Sequence, residues 1–218
     1  MAQGSTVLLC NPGAPTALAR ILFEDSWSEI GKVTTTYKEE PAKTSATVYS
    51  SGPQVIVLID SSLKSTYCGP IMAQLWPILS AKGCKYVGIK TIYKTNYSTF
   101  EGHSTIDADR PLPLRFKRSS ISACFDAFLS SASKFDGHVL ADNQLNPTGG
   151  LAAAFLMHAE MYGQAAMTIT AIVDQHFITS ETLQAFDGVV NTLLGHKFDF
   201  TEIYKAKQFK PILKELNQ

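Results

Sequence analysis

The sequence is poor in charge and has no excess of either sign. Charged side chains make up 17% of its 218 residues, and 19 basic residues balance 19 acidic ones. A neutral molecule has no net field that would attract nucleic acid or an anionic membrane. We therefore expect no nucleic acid and no membrane as partner. With 45% hydrophobic residues, the composition is that of a packed globular protein.

Cysteine is scarce, and long apolar runs are absent. The four cysteines lie at positions 10, 68, 84 and 124, and none forms the Cys-x-x-Cys pair of zinc sites and thiol oxidoreductases. No apolar run reaches the length of a membrane span, and residues 1–10 lack the basic and apolar segments of a signal peptide. These absences favour a reduced, cytoplasmic protein.

Short catalytic and cofactor motifs are also missing. The sequence has no Gly-x-Ser-x-Gly elbow, no phosphate-binding P-loop and no dinucleotide fingerprint. Its five histidines include no pair four residues apart that could hold a metal. His158 lies in an apolar, helix-like segment, where a packed histidine is commoner than a metal ligand. We therefore predict no metal, no cofactor and no catalytic residues.

Strand-like and helix-like segments alternate along most of the chain. Continuous apolar runs at 6–10 and 55–59 are typical of strands buried on both faces of a parallel sheet. The alternation predicts one domain over residues 1–218, a three-layer α/β/α sandwich with a mainly parallel sheet. Further strands are predicted at 86–93, 138–141 and 167–173, with edge strands within 32–52. Helices are predicted at 16–23, 70–82, 120–131 (Ile121, Phe125 and either Phe128 or Leu129 inward), 151–162, from 179 onward and at 200–216.

The exception to this alternation is a long polar stretch, residues 94–118. Structureless loops of that length are usually functional or disordered. The stretch contains a basic cluster near its end, in which Arg115 and Lys117 can make charge-assisted bonds to an acidic partner surface. The alternative is a solvated loop without a partner.

The segment 151–162 is apolar on nearly every side. A helix of that kind must be covered on more than one side. Its own sheet can cover one side, and the other side then requires a further layer or another protein. Phe155, Met157, His158 and Met161 are therefore candidate partner-binding residues.

Polar residues at the predicted strand ends allow the alternative hypothesis that the protein is an enzyme. Asn11, Asp60, Asp142 and Asp174 end four strands, and His176 follows the last of them. Open α/β sheets bind ligands at this edge, so these groups suit acid–base work in a small-molecule hydrolase or a nucleosidase-like enzyme. The simpler interpretation is that Asp and Asn end strands because they favour turns.

Two predicted helix starts offer further alternatives. Cys68 precedes a helix, where the helix dipole would lower the pKa of its thiol, but no base accompanies it in the sequence and a structural cysteine is the alternative. Residues 146–150 (NPTGG) can present backbone N–H groups to an anion, or they are an ordinary turn before a helix.

Three stretches of the sequence resemble a known family. Residues 86–98 (YVGIKTIYKTNYS) resemble its strand and polar loop, and residues 110–119 (RPLPLRFKRS) resemble the Pro-Leu-rich stretch that follows. Residues 150–190 resemble its Ala-rich helix, its next strand and its "ITxExxxAF" helix. The family is that of the eukaryotic proteasome assembly chaperone 1, one of the chaperones of the 20S proteasome.

This resemblance implies a non-enzymatic protein of the cytoplasm and nucleus, with no cofactor. It implies pairing with proteasome assembly chaperone 2 and guidance of proteasome α-subunits into a ring. Family members often end in hydrophobic-Tyr-any, which docks between α-subunits. Leu216 can serve as the hydrophobic residue and Gln218 carries the carboxylate, but Asn217 replaces the tyrosine. Tail insertion by the partner chaperone is therefore the alternative.

Overall fold

The computed structural model describes residues 5–22, 27–35, 43–60, 67–80, 84–93, 114–135, 137–139, 150–173 and 180–195. Within these ranges the strands are β1 (Thr6–Cys10), β2 (Ser28–Thr35), β3 (Lys43–Ser51), β4 (Gln54–Ile59), β5 (Lys85–Tyr93), β6 (Leu114–Arg118), β7 (Gly137–Val139) and β8 (Ala166–Val173). The helices are α1 (Ala14–Leu22), α2 (Cys68–Leu79), α3 (Asp126–Leu129), α4 (Leu151–Met161) and α5 (Ser180–Leu194).

The strands form one mixed sheet in the order β2-β3-β4-β1-β5-β8-β6-β7. The central strands β4, β1, β5 and β8 are mutually parallel, and β7 is parallel to β6. The pairs β2–β3, β3–β4 and β6–β8 are antiparallel, so the prediction of a mainly parallel sheet is wrong. The cause at β3–β4 is the two-residue turn Gly52-Pro53, because so short a connection can join only antiparallel strands.

Helices cover both faces of this sheet, as the predicted layering requires. One buried cluster joins the sheet to α1 and α5, and a second joins it to α2 and α4. Alternate residues of β1 serve the two clusters: Leu8 faces α1 and α5, whereas Val7 and Leu9 face α2 and α4. This double burial explains why β1 and β4 are almost continuously apolar, whereas β5 and β8 also contain Lys90, Thr168 and Thr170.

Helix α4 lies unusually close to the sheet at Gly88. A Cβ atom at Gly88 would lie 3.3 Å from Cδ1 of Phe155, so the absence of a side chain makes room for the ring. The fully buried Phe155 ring is also edge-on to Tyr86, with centroids 6.2 Å apart. These contacts determine which side of α4 turns inward and which side turns outward.

The prediction of one helix over 120–131 is wrong. The segment forms a 3₁₀ turn at Ala123–Phe125 followed by the single turn of α3. Phe125 and Phe128 are buried as predicted, but Ile121 is 55% exposed. The chain stays beside β8 beyond β6, because the backbone N–H of Ser119 donates to the carbonyl of Ala166, and this leaves Ile121 on the outside.

Candidate partner-binding surface

Helices α2 and α4 lie side by side on one face of the sheet, and each contributes to a buried aromatic cluster. Trp76 of α2 stacks on Tyr86 of the sheet, with centroids 5.1 Å apart. The same indole lies 6.4 Å from the ring of Phe155, which comes from α4. The two helices are therefore joined to each other and to the sheet by the same packed rings.

The outward side of α4 carries large apolar side chains that remain in contact with solvent. Met157, Met161 and Tyr162 are 54%, 69% and 55% exposed. Met157 and Met161 are four residues apart and therefore share one side of the helix. Ile121 borders the same end of α4, since a Cβ atom on Gly163 would lie 3.7 Å from its Cδ1. We call these four residues the α4 surface.

The two helices α2 and α4 contain very little charge. Helix α2 contains no charged residue, and its exposed positions are Pro70, Ala73, Gln74 and Pro77. Glu160 is the one acidic residue of α4, and its carboxylate accepts hydrogen bonds from the backbone N–H and the hydroxyl of Ser120. A contiguous exposed apolar area of this kind is typical of a protein interface.

Tyr162 is held in place although half of it is exposed. Its ring stacks on Trp76, with centroids 5.5 Å apart and planes 21° apart. It also stacks on His158 at 6.1 Å. A side chain that is already ordered loses less rotamer freedom when a partner binds. Tyr162 would therefore lose little rotamer freedom in a protein contact.

Of the four candidate partner-binding residues on α4, two are exposed and two are buried. Met157 and Met161 are exposed, whereas Phe155 and His158 are buried. Phe155 packs under the helix, and His158 lies beside both Trp76 and Tyr162, with ring centroids 6.0 Å and 6.1 Å away. Nδ1 of His158 has no hydrogen-bond partner among the described residues. Phe155 and His158 thus support the surface from below, and partner contact by the two methionines stays a prediction.

The basic pair lies on a strand, not in a loop. Arg115 and Lys117 belong to β6 and are half-buried, so the predicted loop ends before Leu114. Leu114 and Phe116 alternate with them and face the α5 side, which places the basic pair on the α4 side of the sheet. Apolar and basic residues alternate over 114–117 in the sequence. The prolines and charges around this short segment made it resemble part of a loop. The tail residues Leu216 and Gln218 lie outside the described residues.

Tyr162, Ile121 and Trp76 were not among the predicted site residues. Tyr162 closes the apolar segment 151–162, so its position in the sequence was a usable signal. Ile121 and Trp76 had no such signal, because their relation to α4 arises only when β6 and α2 pack beside it.

The enzymatic alternative finds little support at the strand ends that the structure describes. Asn11 is buried, and its side-chain amide donates to the carbonyl of Ile89 at 2.9 Å. Its own backbone carbonyl accepts from the hydroxyl of Thr16 at 3.0 Å, so Asn11 joins β1 to β5 and to α1. Asp60 is exposed after β4. The other residues of the enzymatic hypothesis are Asp142, Asp174 and His176, and they lie outside the described residues.

Cys68 is not an activated thiol. Burial raises the pKa of Cys68, and the nearby positive charge of Lys90 opposes this only in part. The expectation that a helix dipole lowers this pKa is therefore wrong, because desolvation of the thiolate dominates. Among the described residues, no group of histidine, cysteine and acidic side chains could hold a metal ion. No helix in the described ranges combines the length and apolarity needed to cross a membrane.

Comparison with known proteins relates this chain by fold rather than by sequence. No protein-family profile and no curated protein matches the sequence. Solved structures match nearly the whole chain, among them a protein of unknown function from Thermoplasma acidophilum (TM-score 0.70, 9% identity, 99% of this chain and 87% of that one).

Two further matches come from Pyrococcus furiosus. One is PbaA, an archaeal homologue of a proteasome-assembly chaperone (TM-score 0.66, 13% identity, 99% of this chain and 91% of that one). The other is PbaB, an archaeal proteasome activator (TM-score 0.61, 12% identity, 99% of this chain and 94% of that one). The chain thus has the mixed α/β fold of archaeal and bacterial proteasome-assembly chaperone homologues.

Proposed function

We propose that this chain is a non-enzymatic chaperone that pairs with a related assembly chaperone, proteasome assembly chaperone 2. The pair promotes assembly of proteasome α-subunits into the α-ring of the 20S proteasome, in the cytoplasm and the nucleus. The fold shared with proteasome-assembly chaperone homologues supports the class of function, and the sequence resemblance supports the eukaryotic branch.

The observation that carries the proposal is the α4 surface. Met157, Met161 and Tyr162 expose apolar area on a helix layer that has almost no charge. Apolar cores with few charges are typical of stable subunit interfaces. A related chaperone with the same layered fold is the partner that we assign to this surface, and the α-subunits then contact the pair.

Affinity purification of the tagged chain, followed by mass spectrometry of the co-purifying proteins, tests the proposal. We expect one related chaperone and several proteasome α-subunits in near-stoichiometric amounts. The same purification with Met157→Glu and Met161→Glu should lose the chaperone, and Gln184→Glu should retain it. Gln184 is a matched control because it is exposed on α5, on the opposite face of the sheet.

Two outcomes contradict the proposal. Absence of proteasome subunits from the wild-type purification argues against a role in proteasome assembly. Retention of the chaperone by the double variant argues against the α4 surface as the pairing interface. A screen of nucleosides, esters and peptides tests for enzymatic turnover. Turnover that Asp174→Asn with His176→Asn abolishes would favour the hydrolase alternative.

A further inference from the structure

The starts of helices α2 and α4 adjoin, and neither has a side-chain cap. A Cβ atom on Gly150 would lie 3.8 Å from Sγ of Cys68, so the two helix N-termini meet. The N-cap residues Tyr67 and Gly150 make no side-chain cap hydrogen bond, and neither first turn contains an acidic residue. First-turn N–H groups carry partial positive charge and have no carbonyl partner within their own helix, although Pro70 of α2 has no N–H and the N–H of Cys68 bonds its own thiol.

A row of polar side chains on three neighbouring strands of the sheet lies beneath the N-termini of α2 and α4. Thr170 of β8 is in register with Lys90 of β5 on one side and with Arg115 of β6 on the other. Adjacent strands are about 4.8 Å apart, so the three side chains are neighbours on the face that carries α2 and α4. Lys90 is close enough to Cys68, the first residue of α2, for their charges to interact.

Thr170 lies below the first turn of α4. Phe155, one turn into that helix, packs over Gly88 and near Thr168. Thr170 is two residues further along β8 and points to the same face, which places it toward the start of α4. Its side chain is 1% exposed, and its hydroxyl oxygen has no hydrogen-bond partner among the described residues. Buried hydroxyls are nearly always hydrogen-bonded, so this one is available to a group that binds beneath the two helix starts.

We propose that the N-termini of α2 and α4, the ammonium group of Lys90 and the hydroxyl of Thr170 form a binding site for a phosphate group. Donors from two helices, one strand lysine and one strand hydroxyl approach from several directions. That arrangement suits the oxygens of a tetrahedral phosphate better than the two oxygens of a carboxylate. Helix N-termini and lysine side chains are established phosphate donors in proteins.

Within the described part of the chain, no acidic side chain in the first turn of α2 competes with an anion. Cys68 is a neutral thiol at physiological pH, since burial raises its pKa. The site is distinct from the α4 surface, because Met157 and Met161 lie two to three turns further along the helix. It therefore does not depend on the proposed chaperone function.

Calorimetric titration of the full-length chain at constant ionic strength tests this site. The probes are inorganic phosphate and glycerol 3-phosphate, which separate free phosphate from a phosphomonoester. We expect saturable binding of at least one probe. Lys90→Met and Thr170→Val should each weaken it by about tenfold or more, as for the loss of a hydrogen bond to a charged group. Lys85→Met, an exposed lysine of the same strand, should bind like wild type.

The absence of saturable binding for both probes overturns the site. Unchanged affinity in Thr170→Val also overturns it, and this variant keeps the test valid if Lys90→Met fails to fold. Valine has the shape of threonine and removes only a hydroxyl without a partner among the described residues, so Thr170→Val should unfold at the wild-type temperature in phosphate-free buffer. Equal weakening by Lys85→Met would indicate non-specific attraction of the anion and likewise contradict the site.

Discussion

The indole ring of Trp76 stacks on the phenol ring of Tyr162, with centroids 5.5 Å apart. Trp76 is almost fully buried and Tyr162 is more than half exposed. The pair therefore links the hydrophobic core to the α4 surface. A partner that displaces Tyr162 would therefore also disturb Trp76, which packs on Tyr86 and Phe155.

We expect the isolated chain to self-associate through the α4 surface and Met157→Glu to shift it toward monomer. The introduced carboxylate must lose water in the contact, which is costly without a paired charge. Met157 is exposed, so the free energy of unfolding should change by no more than about 0.5 kcal/mol. Sedimentation velocity over a range of concentrations measures the association. A wild-type chain that stays monomeric throughout contradicts the prediction.

Comparison of Trp76→Ala with Tyr162→Ala should separate the effect on folding stability from the effect on association through the α4 surface. Trp76 is buried, and its removal should cost about 3–5 kcal/mol of unfolding free energy. Tyr162→Ala removes mainly an aromatic contact and should cost about 0.5–1.5 kcal/mol, while still weakening association. Urea unfolding and sedimentation measure the two effects. Equal destabilisation by the two changes would show that Tyr162 is part of the core.

Gly88→Ala should destabilise the fold. The new Cβ atom would lie 3.3 Å from the Phe155 ring, and overpacking of a core typically costs about 1–3 kcal/mol. Gly69→Ala is the matched control, because a Cβ atom there meets nothing within 4 Å. In helix α2 it should stabilise by up to about 1 kcal/mol. If urea denaturation shows Gly88→Ala to be as stable as wild type, α4 lies further from β5 than described.

Lys90→Met should stabilise the protein in a pH-dependent way. Burial lowers the pKa of Lys90 below its usual value, so the folded state disfavours the charged form. The penalty is fully present at neutral pH, where the lysine is charged in both states. It is relieved as the pH rises through the lowered pKa of the folded state toward the unfolded value.

The stability difference between Lys90→Met and wild type should therefore be largest at neutral pH and should shrink toward pH 10. Denaturant titrations at several pH values in phosphate-free buffer measure it. A difference that grows with pH would mean that the pKa of Lys90 is raised in the folded state.

Cys124 should be the thiol that reacts first in the native chain. It is exposed, whereas Cys10, Cys68 and Cys84 are buried. Partial burial raises the pKa of Cys124, so its alkylation rate should keep rising above pH 9. Mass spectrometry after timed alkylation identifies the modified residue. In Cys124→Ser the native protein should lose its fast phase, and a remaining fast phase would assign the reactivity to another thiol.

Local patterns in the sequence were sufficient to predict most of the described elements. The apolar runs of β1, β4, β5 and β8 and the apolar helix α4 begin and end within a few residues of their predicted limits. Such runs are informative because burial on both faces of a strand favours apolar side chains at successive positions. β6 was missed, since its three charged residues and only two inward apolar ones make a weak alternating pattern.

The sequence alone determined that α4 needs cover on more than one side and that no known catalytic motif is present. It did not decide which residues turn outward, because every side of α4 is apolar and the amphipathic signal is therefore absent. Tertiary structure made that choice: Gly88 lets Phe155 turn inward, and Met157 and Met161 then point to solvent. The meeting of α2 and α4 above Lys90 and Thr170 is likewise a product of strand order, which brings together residues far apart in the chain.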